Sequence, residues 1–399
     1  MDFALTEEHR LVQQTVREFA QERIVPKARE NDERGYFDRT VVEEMAALGL
    51  LGGPIYERYG GSGLDYISLA ITCEEIERAE TAFRVVLSVH LGLNSLTLMQ
   101  WATEEQKQRW LVPQAKGEKL AAFGLTEPGA GSDVASIRTI ARRDGDSYIL
   151  NGAKTWISLA DVADNFLVVA SLDPAQKHRS LTAFVVERGT PGFSTGTIHG
   201  KLGVRAGNTG ELFFEDCRVP IENRIGEEGE GFKIAMSALD FGRFTVGAGA
   251  VGLAQASLDA SLSYAKEREA FGRPIGRFEL VQQMIANMVA GVEAARLLIY
   301  RVGWLKNQGL RTTRETSLAK WYACDVAFKA ANDAVEIHGA YGYANEYPVE
   351  RYLRNARGAQ IYEGTREIHT IMQAEYALGY REDKPLRCPP PPAQGWLRE

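Results

Sequence analysis

The sequence predicts a multidomain α+β protein in which a β-rich segment separates two helical segments. Over residues 1–120, apolar side chains recur mostly with helical spacing. Between residues 121 and 230 they form short runs separated by turn residues, which is typical of an antiparallel β-barrel or sandwich. Helical patterns return over 231–382 and are long enough for a four-helix bundle. A proline-rich tail completes the chain at 383–399.

The first segment is predicted to consist of several helices. One apolar face runs over residues 5–24, and Pro26 is expected to disturb that helix because a proline ring clashes with the preceding turn. Two longer helices are predicted over 66–78 and 82–101.

Five strands are predicted in the middle segment, at 137–142, 148–150, 166–171, 181–186 and 211–215. The dipeptide Asp144-Gly145 predicts a tight hairpin between the first two.

Long helices are predicted over 232–267, 278–308 and 313–338. Residues 247–252 (GAGAVG) match the GxGxxG pattern literally, but no strand precedes them. They therefore favour close helix packing over a Rossmann nucleotide site. The four prolines at 389–392 cannot continue a helix and predict an extended arm.

Charge and composition exclude several classes of function. The net charge of -7 and the lack of a basic patch argue against nucleic acid binding. The longest uncharged run, 244–258, is too short to span a bilayer, and the acidic N-terminus is not a signal peptide. The histidines form no metal-binding motif. The four cysteines are scattered and indicate reduced thiols, hence a cytoplasmic protein.

Glu363 is the candidate general base. It lies in a turn between Tyr362 and Gly364, just before a predicted helix for which Thr365 is a suitable N-cap. A carboxylate in a half-apolar turn loses solvation, which raises its pKa toward working pH. The alternative is a water-facing carboxylate that interacts with the helix dipole.

A turn rich in glycine and hydroxyl residues follows Phe123. Its exposed backbone N–H groups suit a phosphate or a ring with polar edges, although a loop at the rim of a barrel has the same composition. Trp156 and Ser158 follow a second strand and can add an aromatic wall.

Four motifs resemble the signatures of acyl-CoA dehydrogenases: LTEPGAGSD (125–133), KTWIS (154–158), REAFG (268–272) and YEGT (362–365). They occur in the order and spacing of that family, and the resemblance extends over nearly the whole chain to about Gly379. It implies the same helical, β and helical organisation as the apolar patterns.

The resemblance implies FAD as the cofactor. The residues that it assigns to FAD are Phe123, Leu125, Thr126, Ser132, Trp156, Ser158, Arg268, Phe271, Glu336, Gly339, Thr365 and Glu367. Among them, Arg268 and Phe271 would reach the FAD of a neighbouring subunit, which implies a homotetramer built as a dimer of dimers.

The implied reaction is α,β-desaturation of a CoA thioester. Glu363 would remove the α-proton, its backbone N–H would bind the thioester oxygen, and an electron-transferring flavoprotein would accept the electrons. Some family members carry the base on the bundle helix, where this chain has Gly242. The residues assigned to substrate are Arg84, Ser88, Ser132, Asp240, Arg243, Tyr362 and Gly364.

Arg84 and Ser88 are the residues that indicate which acyl group the substrate carries. Residues 83–84 and 87–89, and less distinctively Glu77, resemble the segment with which glutaryl-CoA dehydrogenases hold the distal carboxylate of their substrate. This resemblance implies a dicarboxylic mono-CoA ester such as glutaryl-CoA or a substituted succinyl-CoA, for example benzylsuccinyl-CoA.

Alternative interpretations remain open. Arg84 can instead pair with Glu80 on a solvated helix face, and the substrate is then an ordinary short-chain acyl-CoA. Two further alternatives are a flavin-dependent oxidase of the same fold and a non-catalytic flavin or acyl-CoA binding protein.

Overall fold

The computed structural model describes residues 4–397. A helical part, a sheet and a second helical part follow one another along the chain, as the apolar patterns predict. The tail after the last helix lies against both helical parts.

The N-terminal part is built of helices and the loops that join them. Its helices are α1 (Glu7–Phe19), α2 (Val25–Arg34), α3 (Arg39–Ala47), α4 (Tyr66–Ala79), α5 (Thr81–Val86), α6 (Leu96–Trp101), α7 (Glu104–Gln106) and α8 (Val112–Ala115). π-Helical segments join three pairs of these helices, at Ala20–Ile24, Leu87–Ser95 and Lys107–Leu111. Pro26 does not end the first helical run: it comes directly after the wide π-helical turn Ala20–Ile24, and the run continues to Arg34.

One helical run among residues 4–397, Thr81–Trp101, is long and apolar enough to cross a membrane by length and composition. All of its most apolar window is buried within the protein, so it is a core helix of this fold. Its middle is the π-helical segment Leu87–Ser95, and such wide turns are frequent at functional sites.

The middle part is an eight-stranded sheet. Its strands are β1 (Ala121–Gly124), β2 (Ile140–Asp144), β3 (Ser147–Ser158), β4 (Asn165–Ser171), β5 (Leu181–Glu187), β6 (Phe193–Thr197), β7 (Thr209–Pro220) and β8 (Arg224–Ile225). The order is β6-β7-β3-β2-β4-β5-β8, and β1 pairs with β4. Most pairs are antiparallel as predicted, but β4 runs parallel to both β1 and β2.

The predicted strand boundaries need three corrections. Strand β2 begins at Ile140 rather than at 137, because the N–H groups of Arg138 and Thr139 donate to the Glu127 carboxylate instead of the sheet. Strands β3 and β7 are each 12 residues long, well beyond the predicted runs. Strand β6, which has a weak apolar pattern, and the two-residue strand β8 were not predicted. The hairpin between β2 and β3 was predicted correctly, with Gly145 in the turn.

The C-terminal helices are α9 (Gly231–Glu267), α10 (Glu279–Asn307), α11 (Thr313–His338), α12 (Val349–Ala359) and α13 (Arg366–Ala377). A small hairpin of β9 (Glu269–Ala270) and β10 (Arg273–Pro274) follows α9. The GxGxxG glycines lie in the middle of α9 and are all buried. A Cβ at Gly252 would overlap the carbonyl oxygen of Glu74 on α4, and one at Gly247 would lie 2.7 Å from Cδ1 of Ile299 on α10. The packing role predicted for these glycines is confirmed.

The proline-rich tail is non-helical through its four prolines, but it packs on the protein instead of projecting from it. The hydroxyl groups of Tyr56 and Tyr66 donate to the carbonyl oxygens of Pro392 (3.0 Å) and Pro391 (2.9 Å). The N–H of Ala393 donates to the carbonyl oxygen of Asn307 at the end of α10 (3.0 Å). The tail thus ties the N-terminal helices to the C-terminal bundle.

We expect Gly252→Ala to destabilise the protein, although alanine favours a helix over glycine. The added methyl meets a backbone carbonyl of α4, and overpacking of this kind lowers the free energy of unfolding by about 1–3 kcal/mol. Denaturant unfolding measures the change. The control is Gly395→Ala, where a Cβ meets nothing within 4 Å. A more stable Gly252→Ala protein would contradict the packing role.

Candidate active site

The turn between α12 and α13 carries Glu363. Glu363 has φ of +54°, a left-handed conformation that is uncommon for a residue with a side chain. Gly364 follows with φ of +109°, and Thr365 caps α13 by accepting a hydrogen bond from the N–H of Ile368 (3.4 Å). The turn and the cap agree with the sequence-based expectation.

Two buried cations bind the backbone of this turn. Nε of Arg243, on α9, donates to the carbonyl oxygen of Glu363 (2.9 Å). Nζ of Lys320, on α11, donates to the carbonyl oxygens of Tyr362 (3.0 Å) and Gly364 (2.8 Å). The left-handed residue is therefore held on both sides by long helices of the bundle.

The Glu363 carboxylate lies against α9 at Gly242. A Cβ at Gly242 would overlap Oε2 of Glu363, so only glycine leaves room for the carboxylate there. This oxygen is shielded from solvent and has no hydrogen-bond partner among residues 4–397. Burial raises the pKa of Glu363 to about 7, while the charges of Arg84, Lys320 and Arg243 act in the opposite direction.

The backbone N–H of Glu363 makes no hydrogen bond with the described part of the chain. It is a free donor next to the unpaired carboxylate. On the other side of the turn, the His369 ring lies against Gly364, where a Cβ would be 2.8 Å from its Nε2. Burial lowers the pKa of His369 to about 2, so this ring is neutral and adds no charge to the site.

Arg84 lies next to Tyr362 in the interior and is 1 % exposed. Its Nε donates to the Glu77 carboxylate, and its Nη1 donates to Oγ of Ser88 (2.8 Å). Its Nη2 donates to the hydroxyl of Tyr362 (2.7 Å). The alternative pairing with Glu80 on a solvated face is wrong, because Glu80 is buried and pairs with Arg351.

The Arg84 pocket has further contacts from α9. A Cβ at Gly249 would overlap the Glu77 carboxylate and lie 2.7 Å from Nε of Arg84, so this glycine makes room for the pair. Thr245 extends the network, since its Oγ1 lies 2.8 Å from Oγ of Ser88. An arginine has five N–H donors, and three of them are used here. One donor on each terminal nitrogen has no partner among residues 4–397.

Asp240 lies one turn before Arg243 on α9. Its Oδ2 accepts a hydrogen bond from Oγ1 of Thr313 (2.5 Å), while Oδ1 is shielded from solvent and lacks a hydrogen-bond partner in the described chain. Nη1 of Arg243 is 3.8 Å from Oδ1. Burial raises the pKa of Asp240. Asp240 and Arg243, both predicted to bind substrate, thus lie beside the Glu363 turn, which Arg243 contacts directly.

The turn after β1 lies beside the end of β3. The N–H of Thr155 donates to the carbonyl oxygen of Thr126 (2.9 Å), and the buried Lys154 donates to the carbonyl oxygen of Leu125 (3.1 Å). A register shift between Lys154 and Ile157 coincides with φ of +60° at Trp156, whose ring is 60 % exposed. Phe123 is buried, Ser158 is half-buried and Ser132 is exposed.

A second group of predicted FAD residues lies at the ends of α9 and α11. Arg268 is exposed and lies over the ring of Tyr341 (5.8 Å), and Phe271 is 96 % exposed with its ring 6.0 Å from that of Phe278. Glu336 and Gly339 are also exposed, and so is Glu367 on α13. The contacts of Arg268 and Phe271 within residues 4–397 do not join them to Trp156 or Glu363.

Two residues of the site had weak signals in the sequence. Lys320 was not predicted, and Glu77 was singled out only as an undistinctive match. Lys320 shares a face of α11 with the small residues Ser317 and Cys324. A lysine on such a face is expected to be buried and to bind specific partners, and this was the available signal. No local pattern identifies Glu77 as the partner of Arg84, because α4 and α5 meet through a turn at Glu80.

The family profiles for acyl-CoA dehydrogenases match the three parts of the chain. The N-terminal domain profile matches residues 6–118, the middle domain profile matches 122–217, and the C-terminal domain profile matches 229–378.

Individual relatives cover most of the chain. A short-chain specific acyl-CoA dehydrogenase of Clostridium acetobutylicum is 44% identical over 372 residues, which are 93% of this chain and 98% of the relative. A chain in the solved structure of the electron transferring flavoprotein of Acidaminococcus fermentans is 43% identical, with a TM-score of 0.93 over 95% of this chain and 100% of that chain. The glutaryl-CoA dehydrogenase complex with glutaryl-CoA is 41% identical, with a TM-score of 0.92 over 96% of this chain and 98% of that chain.

These matches agree with the four sequence motifs and with the order of helical and sheet domains. The chain belongs to the acyl-CoA dehydrogenase family of oxidoreductases, whose members use FAD.

Proposed function

We propose that this protein desaturates a CoA thioester between its α and β carbons, with Glu363 as the general base. One observation carries the proposal most directly. Glu363 presents a solvent-shielded, unpaired carboxylate oxygen, and burial raises its pKa to about 7. A base with such a pKa is matched to proton removal near neutral pH.

The backbone of the turn supports the same reaction. The α-proton of a thioester is weakly acidic, so its removal requires stabilisation of the negative charge that develops on the thioester oxygen. The free N–H of Glu363 is a donor at this place, and the turn is held by Arg243 and Lys320. A fixed donor and a fixed base need no reorganisation during proton transfer.

The residues around Trp156 fit FAD by their chemistry. An exposed indole ring, the hydroxyl groups of Thr126 and Ser158, and a turn whose Gly129 and Gly131 have open space around them suit a flat ring with polar edges. When bound, FAD accepts the hydride equivalent from the β carbon. Thr126, Trp156, Ser158, Phe123 and Leu125 would hold its ring system.

Glu363→Gln tests the base. The variant should retain flavin. The rate at which an acyl-CoA bleaches that flavin should fall on the order of 10²–10⁴-fold, because the amide cannot accept the proton. In the parent protein, kcat/KM should fall about tenfold per pH unit below pH 7, where Glu363 is protonated. Stopped-flow absorbance measures both. A variant that bleaches at the parent rate would remove Glu363 from this role.

For the substrate, we propose a dicarboxylic mono-CoA ester such as glutaryl-CoA or a substituted succinyl-CoA. Arg84 retains one unused donor on each terminal nitrogen, which is the arrangement that a carboxylate can accept from an arginine. Ser88 positions Arg84 by accepting from Nη1 (2.8 Å), and its own proton is used by Oγ1 of Thr245, which in turn donates to the carbonyl oxygen of Gly242. Similarity to the glutaryl-CoA complex supports this acyl group.

One observation favours a short-chain monocarboxylic substrate instead. Glu77 already neutralises Arg84, so the pocket carries no uncompensated positive charge that would demand a substrate carboxylate. The similarity to a short-chain specific relative supports this second candidate, and its identity of 44% is close to the 41% of the glutaryl-CoA enzyme. The two candidates therefore differ in what the Arg84 pocket binds.

The double variant Glu77→Gln/Arg84→Met separates the two candidates without leaving a buried charge unpaired. If a dicarboxylate binds Arg84, turnover of glutaryl-CoA should lose about 2–5 kcal/mol of transition-state binding while butyryl-CoA turnover persists. Steady-state kcat/KM for both thioesters measures the difference. Equal losses, or a parent enzyme that prefers butyryl-CoA, would favour the short-chain candidate.

We further propose an electron-transferring flavoprotein as electron acceptor, which the match to the Acidaminococcus fermentans structure supports. Peroxide formation at the turnover rate would identify an oxidase instead. A cytoplasmic location is also proposed, in keeping with the free thiols of Cys73, Cys217, Cys324 and Cys388. A purely binding role is disfavoured by the retained, unpaired Glu363 carboxylate.

We propose a homotetramer in which Arg268 and Phe271 complete the FAD site of a neighbouring subunit. Large apolar side chains are exposed on the β9–β10 hairpin, along α10 and in the turn after α11, which supports burial against another copy. They include Phe271, Leu280, Val289, Leu297, Trp304, Tyr341 and Tyr343.

Phe271→Glu should therefore shift the protein to smaller species and weaken FAD binding together, because one surface serves both. Sedimentation velocity and flavin content measure the two effects. Leu11→Glu, at an apolar residue of α1 that is 65% exposed, is the control and should change neither. A flavin-loaded monomer of the parent protein would contradict the tetramer.

A further inference from the structure

Lys320 is the buried cation of the site that no motif identified. It lies on α11, is 1% exposed, and makes no ion pair among residues 4–397. Its Nζ donates to the carbonyl oxygens of Ala359 (2.7 Å), Tyr362 (3.0 Å) and Gly364 (2.8 Å). An ammonium group has three donors, and all three are directed at one turn.

These bonds have different consequences. The bond to Ala359 satisfies a carbonyl at the C-terminus of α12, as a helix cap would. A cap alone does not require the bonds to Tyr362 and Gly364, which lie on either side of Glu363. Together with the bond from Arg243 to the carbonyl of Glu363, they fix three consecutive peptide groups.

The backbone at Glu363 needs such support. A non-glycine residue with φ of +54° costs of order 1–3 kcal/mol and persists only where its surroundings determine its conformation. We propose that Lys320 is a positioning residue that holds Glu363 in this left-handed conformation and keeps its carboxylate against Gly242. This inference rests on the proposed role of Glu363 as the base.

The charge of Lys320 has a second effect. It favours the ionised form of Glu363, as do Arg84 and Arg243, and so opposes the effect of burial. The titratable and charged groups around the turn are Glu77 on α4, Arg84 on α5, Asp240 and Arg243 on α9, Lys320 and Cys324 on α11, Tyr362 in the turn, and His369 on α13. Loss of the Lys320 charge should therefore raise the pKa of Glu363.

The test uses the flavin-loaded full chain with Lys320→Met, which keeps the length of the side chain but removes its donors and charge. We expect amide hydrogen exchange in peptides covering 358–366 to accelerate by about tenfold or more. We also expect flavin reduction to slow on the order of 100-fold, as for a misplaced catalytic group. The midpoint of its pH dependence should move to higher pH. Lys329→Met, on the same helix but paired with Asp333, should change none of these.

Two further variants keep the test decisive. Lys320→Gln retains donors without the charge, so it should protect the turn better than Lys320→Met while still raising the pH midpoint. Lys320→Arg should keep the pH midpoint of flavin reduction at its parent value. If Lys320→Met does not fold, Lys320→Gln and Lys320→Arg provide the same comparison. Parent-like exchange in 358–366 and a parent-like midpoint in Lys320→Met and Lys320→Gln would overturn the proposal. If Glu363→Gln reduced flavin normally, the base assignment would fail, whereas the exchange data would still decide the role of Lys320.

Discussion

The site depends on buried cations that bind the backbone of a turn and leave its carboxylate free. Arg243 and Lys320 donate to the carbonyl oxygens of residues 362–364, and neither forms a hydrogen bond with the Glu363 side chain. Cations that paired directly with the carboxylate would stabilise its ionised form and weaken it as a base. Bound to carbonyl groups instead, they fix the geometry and moderate the pKa without occupying the oxygen.

The long bundle helices make this arrangement possible. α9 supplies Gly242 and Arg243 to the turn and Thr245 and Gly249 to the Arg84 pocket, so one helix serves both ends of the site. Its close approach to α4 and α10 depends on small residues at the contact points. The base and the Arg84 pocket are therefore kept at a fixed separation by a single rigid element, and Tyr362 joins them through its bond to Arg84.

Much of the fold followed from local patterns. Helix α11 was predicted with its observed bounds, and the N-cap at Thr365 and the hairpin at Gly145 were also correct, because each depends on residues close in sequence. The predicted start of β2 was wrong, since the observed start depends on a contact between Arg138 and Glu127, eleven residues away. The Arg84–Glu77 pair and the Lys320 contacts join separate helices, and spacing along one helix carries no information about them. Resemblance to the family supplied the cofactor, which composition and periodicity did not indicate.

The space at Gly242 constrains how this site can diverge. A longer side chain at 242 collides with the Glu363 carboxylate, whereas shortening residue 363 empties the volume beside α9. Moving the acidic group from the turn to the helix therefore requires two substitutions whose order matters. The intermediate with a small residue at both positions lacks a base, and the intermediate with glutamate at both is overcrowded. Positions 242 and 363 are thus epistatic, and descendants of this chain are expected to change them together or to change neither.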